Sequence, residues 1–314
     1  MVLVGEVQTG LLQHSHALDS HDVTQLLSLA VGERVRLSAR PLAYARSPRF
    51  LAGLDCQLPG TGRAVRVVGT AIGRATVVGG HVVQGSTFAE IRRGTHGRRL
   101  PWSYYMARPG VLETVRAADL SRLDERVLEG PVSPQSLNLG AVSGRTVDLI
   151  QRNAALDRKP PLRGIRTRLR WAAHTPDDST FAPDDSAAIS LTIKDSPLRV
   201  LRLTTPVTSA SRIAALCEDI AVHDWLITTV LGVVSRAGIG SHTRAEVIER
   251  LQPAVDHLIP LWMPAARTDR LLTELWQALE ANPGFARQWD NLVQRVRDQF
   301  TVATVTMYAP TFRL

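Results

Sequence analysis

The spacing of apolar residues changes along this chain, and that change limits the folds open to it. Before Pro206 the clearest apolar stretches, such as residues 34–39, alternate with polar residues, which is typical of half-buried β-strands. After Pro206 the apolar residues recur three and four positions apart, as in 211–234, which is the period of an amphipathic helix. We therefore predict an α+β protein with a strand-rich basic domain at 1–206 and a helical domain at 207–314.

Local signals refine this organisation. Gly79 and Gly80 separate two valine-containing runs, and glycine readily takes the positive φ of a two-residue hairpin turn, so we predict a β-hairpin there. In the second part, four amphipathic stretches predict a bundle of about four helices. Pro-Asp-Asp-Ser occurs twice within 174–186, which predicts a polar surface loop. Residues 301–308 alternate again, and we expect them to form a strand.

Charge is divided unevenly between the two parts. Through Arg170 the chain has 24 basic and 13 acidic residues, whereas from Trp171 onward it has 13 basic and 16 acidic residues. Such asymmetry predicts a partner of opposite sign, either nucleic acid or an acidic protein surface, or docking of one part on the other. Arginine greatly outnumbers lysine, which suits recognition of phosphate or carboxylate and equally matches the codon usage of a G+C-rich genome.

Several classes of protein are not indicated. Only two cysteines are present, Cys56 and Cys217, and their separation predicts neither a disulfide framework nor a metal site, so no metal and no cofactor is expected. Residues 1–6 lack the order of a secretory signal, and acidic residues interrupt the most apolar window, 213–234, which argues against a membrane span. We expect a cytoplasmic protein that does not enter the membrane.

Asp224 occupies a position in the apolar face of the predicted helix 211–234. A carboxylate in such a place needs a partner, because burial of an unpaired charge is costly. We expect that partner to be His257 or Arg250 on the next helix. The alternative is a metal-binding or proton-transfer site, for which the low-probability catalytic candidates are Asp219, His223, Asp224 and His257.

Two arginine clusters are the candidate binding surface. The first combines guanidinium groups with aromatic rings that can stack on bases, and its members are Arg92, Arg93, Arg98, Arg99, Trp102, Tyr104 and Tyr105. The second lies within 158–170 and contributes Arg163, Arg166 and Arg168. These charges either bind nucleic acid, bind an acidic protein, or pair within the molecule.

Four segments of the chain resemble a protein family of high-G+C bacteria that is encoded beside a SAM-dependent methyltransferase and a variant P-loop protein. They are VGEVQTGLLQHS, RRLPWSYYMARPG, LCEDIAVHDWLITTV and LQPAVDHLIPLWMPAAR. The resemblance implies no catalytic residue and no activity. It implies association with neighbours that supply methyl transfer and nucleotide binding.

Three functions are consistent with these observations. The first is a non-catalytic adaptor or accessory subunit of a cytoplasmic multiprotein system, with a protein as its partner. The second is a nucleic-acid-binding protein that uses the arginine clusters at 92–99 and 158–170. The third is a metal-dependent enzyme built around Asp224 and His257.

Overall fold

The structure is a computed structural model that describes residues 1–59, 65–116, 120, 122–175, 187–238, 243–266 and 272–308, with the backbone alone over 303–308. The strands in these ranges are β1 Val2–Leu11, β2 Arg36–Ser38, β3 Tyr44–Arg46, β4 Phe50–Gln57, β5 Arg66–Val78, β6 Val82–Arg92, β7 Val111–Thr114, β8 Thr167–His174, β9 Ala188–Ile193 and β10 Leu198–Thr204. The helices are α1 Ser20–Leu27, α2 Trp102–Met106, α3 Leu123–Glu129, α4 Leu139–Gln151, α5 Ala210–Ala237, α6 Arg244–His257, α7 Thr273–Ala281 and α8 Phe285–Tyr308. The α+β prediction is confirmed.

All the strands belong to one mixed sheet. Its order is β2-β3-β5-β7-β6-β1-β8-β10-β9, and β4 pairs with β5 beside this path. The pairs β6–β7 and β8–β10 are parallel, and the other pairs are antiparallel. The short strand β2 therefore forms one edge of the sheet, and most of its residues are exposed.

β5 and β6 form the predicted hairpin. Val78 pairs with Val82, so the connecting loop has three residues and not the two that were expected. Gly79 and Gly80 both have positive φ, 57° and 69°, as a tight turn of this kind requires. A side chain at Gly79 would clash with Leu261, so the tip of the hairpin packs closely against the segment that follows α6.

Helices cover both faces of the sheet. Leu3 and Val7 of β1 belong to the apolar cluster that contains α5, whereas Val4 belongs to a second cluster with α3. A third cluster joins α1 and α4 to β5 and β6. Because successive side chains of a strand point to opposite faces, this division gives a three-layer arrangement with the sheet in the middle.

α5 is the central helix of the structure. Its cluster contains residues of β1, β8 and β10 together with residues of α6, α7 and α8, so the strand-rich and helical parts share one core. α5 is the one described helix that is long and apolar enough to cross a membrane, and 72% of its most apolar window is buried inside the fold. That is the environment of a core helix in a globular protein.

The structure overturns one local expectation and does not test another. The prediction of a strand at 301–308 is wrong, because these residues continue α8. Asp19 caps α1 by accepting a hydrogen bond from the backbone N–H of Asp22. The predicted loop at 174–186 lies outside the described residues from 176 onward.

Candidate anion-binding cleft

A cleft rich in arginine opens at the β2 edge of the sheet. It has a volume of about 540 Å³, and its lining residues are Glu33, Arg34, Arg36, Arg46, Ser47, Pro48, Arg49 and Arg74. We call this feature the arginine cleft. Five of its eight lining residues are arginines and one is acidic, so its charge favours an anionic ligand.

The strand register brings three of these arginines to one face. Arg36 lies directly opposite Arg46, and Arg46 lies opposite Thr76 of β5. Arg74 is two residues from Thr76 and therefore points to the same side of the sheet. Like charges at directly opposed positions destabilise a sheet, so this arrangement requires negative charge close by.

The segment after β3 closes one side of the cleft. The Ser47 hydroxyl accepts a hydrogen bond from the backbone N–H of Ala75 at 2.8 Å, and the Ser47 N–H donates to the Ala75 carbonyl at 2.9 Å. This pairing anchors the chain just before Arg49. The guanidinium of Arg49 then donates to the hydroxyl of Ser211 in the first turn of α5, at 2.9 Å.

The floor of the cleft is a buried ion pair. Arg74 Nε lies 2.6 Å from Glu218 Oε1, and the two side chains are 2% and 0% exposed. Arg46 Nη2 lies 3.6 Å from Glu218 Oε2, so one carboxylate of α5 faces two guanidinium groups. The Glu218 carbonyl accepts a hydrogen bond from Gln84 at 2.8 Å, and the Arg74 guanidinium lies 5.4 Å from the centroid of the Phe88 ring. These contacts fix the floor between the sheet and α5.

Positive charge remains after this pairing. Arg34, Arg36 and Arg49 are exposed at the rim, and none of them lies within ion-pair distance of a carboxylate in the described part of the chain. Burial, followed by repulsion from Arg74 and Arg36, lowers the pKa of Arg49. An arginine keeps its proton despite such a shift, so the repulsion persists as a positive potential inside the cleft.

Asp224 is buried as expected, but its predicted partners are wrong. Its carboxylate pairs with Arg199 of β10, with Nε 2.9 Å from Oδ2, and not with His257 or Arg250. The reason is geometric, because this side of α5 faces the sheet while α6 packs elsewhere on the helix. Burial raises the pKa of Asp224, and the charge of Arg199 opposes that rise.

Asp219 and His223 lie one turn apart on α5, fully buried. Asp219 Oδ2 accepts hydrogen bonds from the indole of Trp276 at 2.9 Å and from the N–H of Ala265 at 2.8 Å. His223 Nδ1 lies 2.7 Å from the Asp219 carbonyl, and His223 Nε2 accepts from the N–H of Met263 at 3.3 Å. These contacts describe a neutral imidazole, and they join α5 to the helices that follow it.

His257 does not belong to that group. Its ring centroid lies 4.4 Å from that of His81 at the tip of the β5–β6 hairpin. Burial, followed by repulsion from His257, lowers the pKa of His81 to about 4. Among the residues that the structure describes, no three side chains of His, Cys, Asp or Glu are placed to hold a metal ion.

The first predicted arginine cluster is partly neutralised within the molecule. Arg92 makes two hydrogen bonds to Glu90, at 2.5 and 2.8 Å, and Arg99 donates to Asp55 at 3.0 Å. Asp55 also receives two hydrogen bonds from Arg66, which together with Arg99 lower the pKa of its carboxyl group. These arginines are therefore engaged with carboxylates of the same sheet.

The remainder of that cluster is more accessible. Arg93 and Arg98 are exposed, and the indole of Trp102 is 38% exposed. Tyr105 is buried, whereas the hydroxyl of Tyr104 bonds to a carboxylate of β7. The Arg99 guanidinium lies 5.4 Å from the centroid of the Trp102 ring, so the exposed indole is already next to an arginine that is bonded to Asp55.

The second predicted cluster is largely paired or buried within the molecule. Arg166 pairs with Asp148 of α4 at 2.7 Å, and Arg170 is buried against a carboxylate of β1 at 3.1 Å. Arg163 is exposed and Arg168 is half-buried. Arg168 and Arg170 are two positions apart in β8 and share a face of the sheet, so internal pairing and burial, and not a change of face, reduce the charge that this cluster presents.

Sequence reasoning missed the arginine cleft. Its local signal is the density of arginine between 34 and 49, which holds four of the five cleft arginines. The remaining one, Arg74, and the counter-ion Glu218 are brought in by strand pairing and by the position of α5. Neither contact is encoded by local spacing.

The fold and the cleft together define a three-layer α+β protein with an arginine-lined cleft at the β2 edge of its sheet. Comparison of the chain with models of protein families, with curated proteins and with solved structures finds no match. Its function is therefore inferred from its own residues.

Proposed function

We propose that this chain is a non-catalytic accessory subunit that binds an anionic ligand in the arginine cleft. The observation that carries the proposal is the convergence of five guanidinium groups on one cleft of about 540 Å³. A planar guanidinium binds phosphate or carboxylate oxygens through paired hydrogen bonds, and a cleft of this size lies in the range of small-molecule sites.

The non-catalytic part of the proposal is supported by the places that the ionisable residues of α5 occupy. Asp219 and His223 are buried and hold α5 to the helices that follow it. Asp224 is buried against Arg199. These groups reach their partners inside the core, where a substrate has no access, so their contacts favour structural roles over a metal-dependent reaction centre.

A protein partner is the second element of the proposal. Trp102 and Met106 of α2 are 38% and 50% exposed, and the Arg99 guanidinium lies 5.4 Å from the centroid of the Trp102 ring. An apolar patch flanked by positive charge suits an acidic protein surface. By the family resemblance, a methyltransferase and a P-loop protein of the cytoplasm are the partners to test.

Nucleic acid is the competing interpretation. Internal pairing of Arg92, Arg99 and Arg166 reduces the charge that the predicted clusters offer to a phosphate backbone. A protein that neutralises about four phosphates has a slope near −3.6 for log affinity against log salt. Retention of duplex DNA or RNA with that slope would favour this second function.

Isothermal titration of the full chain with pyrophosphate, in about 150 mM sodium chloride, tests the proposal. The rim variant Arg34→Gln/Arg36→Gln/Arg49→Gln should bind at least about tenfold more weakly, since each lost charge-assisted hydrogen bond contributes about 1.5–3 kcal/mol.

A matched control removes three exposed arginines outside the cleft. The control variant is Arg93→Gln/Arg98→Gln/Arg163→Gln, which changes the net charge equally and should bind like the wild type. Failure of the wild type to bind pyrophosphate, or equal weakening in both variants, would contradict a specific site.

A further inference from the structure

The arginine cleft is charged from its rim to its floor. Arg34, Arg36 and Arg49 are exposed at the rim, the side chain of Arg46 is 20% exposed, and that of Arg74 is 2% exposed. A ligand that contacts the arginines of both rim and floor must place a compact, highly charged group at the inner end of the cleft. The rest of such a ligand stays at the rim.

The floor offers a hydrogen-bond donor that the protein itself does not use. Nη2 of Arg74 is buried and has no acceptor among the described residues, although Nε of the same guanidinium is held by Glu218. Buried N–H groups are normally paired. An oxygen of an anion that enters the cleft end-on would supply the acceptor that this donor lacks.

The number and placement of donors distinguish between anions. A phosphomonoester is a dianion with three free oxygens and has one substituent, which can leave the cleft through its mouth. An internal phosphodiester has a single charge and two substituents on opposite sides, so it lies along a surface. It therefore reaches the rim arginines but not Arg74.

We propose that the arginine cleft binds the phosphomonoester group of a small molecule end-on, with its oxygens toward Arg46 and Arg74 and its body among Arg34, Arg36 and Arg49. This inference rests on the proposed function, because it assigns a ligand class to the same cleft.

The surroundings favour a small molecule over the phosphorylated end of a nucleic acid. Glu33 adds negative charge to the rim. The exposed arginines Arg93 and Arg98 follow the end of β6 at Arg92. Arg92 pairs with Glu113 of β7, and Glu113 pairs with Val68 of β5. The cleft lies near Arg74 of β5, roughly 20 Å further along that strand at about 3.3 Å per residue. The two groups of arginines are therefore separate features of the surface.

The test compares the affinities of two phosphate ions for the full chain by isothermal titration at pH 8. Inorganic phosphate should bind at least about tenfold more tightly than dimethyl phosphate. Arg46→Gln, at a position whose side chain is 20% exposed, should remove most of this preference. Arg74→Lys keeps a charge for Glu218 but removes the guanidinium and should have the same effect if it folds. Arg166→Gln, outside the cleft, is the matched control and should keep the preference.

A thymidine tetranucleotide, with and without a 5′-phosphate, distinguishes the two sources of a phosphomonoester. Under the proposal the phosphorylated form binds no more tightly than inorganic phosphate. Binding at least tenfold tighter than phosphate and dependent on the 5′-phosphate would overturn the small-molecule assignment in favour of a nucleic-acid end.

The remaining outcomes separate this inference from the proposed function. Equal affinity for phosphate and dimethyl phosphate, with both lost in the rim variant Arg34→Gln/Arg36→Gln/Arg49→Gln, would overturn end-on binding and leave an anion-binding cleft. Absence of binding by every phosphate probe and by pyrophosphate would overturn both.

Discussion

Replacement of Glu218 by glutamine tests the electrostatic design of the cleft. Glu218 is the buried carboxylate that faces Arg74 at 2.6 Å and Arg46 at 3.6 Å. Removing one partner of a buried ion pair leaves an uncompensated charge and typically costs about 3–5 kcal/mol. We expect Glu218→Gln to lower the free energy of unfolding by about 3 kcal/mol, at the low end of that range because the amide oxygen still accepts a hydrogen bond.

Urea denaturation in chloride buffer measures this loss, and the surface variant Glu125→Gln is its control. Glu125 pairs with Arg122 in solvent, where an ion pair contributes about 0–1 kcal/mol. A loss for Glu218→Gln no larger than that of the control would refute the assignment of Glu218 as the counter-ion of the floor.

The same variant reports whether anions reach the floor. Without Glu218, the guanidinium groups of Arg74 and Arg46 lack their internal counter-ion, so phosphate should stabilise Glu218→Gln more than it stabilises the wild type. Equal stabilisation of the two proteins by phosphate would restrict anion contact to the rim.

Three further predictions concern ionisable groups outside the cleft. Burial and repulsion from His257 lower the pKa of His81 to about 4, against about 6.5 in the unfolded chain. Between these values the unfolded state binds more protons, so the free energy of unfolding should fall as the pH drops from about 6.5 to about 4. His81→Phe should remove up to about 3 kcal/mol of that fall, measured by urea denaturation at both pH values. Asp224→Asn should lower the free energy of unfolding by about 3 kcal/mol in the same assay, because it leaves Arg199 buried without a carboxylate. Replacement of both residues by methionine should recover most of this loss. A loss below about 1 kcal/mol for Asp224→Asn would contradict the pairing. Burial raises the pKa of Cys56 to about 11, so iodoacetamide should label it slowly at pH 8 until urea is added, and labelling at the rate of a free thiol would contradict its environment.

The elements that depend on local pattern are the ones that sequence predicts well. Gly79 and Gly80 mark the β5–β6 hairpin because the turn needs positive φ at adjacent positions. α6 begins at a capping box of Thr243 and Glu246, and that spacing is visible in the sequence. α5 follows its predicted apolar face, although burial on nearly all sides hides which side of the helix meets the sheet.

The partners of charged residues depend on tertiary contacts and were not predictable. Asp224 meets Arg199 because β10 passes beneath α5, an arrangement that helix spacing cannot reveal. The arginine cleft arises from the register that sets Arg36 opposite Arg46 and from a glutamate of α5 more than a hundred residues away along the chain. Spacing along the sequence identifies the faces of elements but not which faces meet.

The position of a bound anion tests the central claim most directly. Crystals of the full chain soaked in tungstate, a tetrahedral dianion with a strong anomalous signal, should show a peak in the arginine cleft within hydrogen-bond reach of Arg46 and Arg74, with weaker or no peaks elsewhere. Peaks confined to exposed arginines such as Arg93 and Arg98, with none in the cleft, would contradict the account.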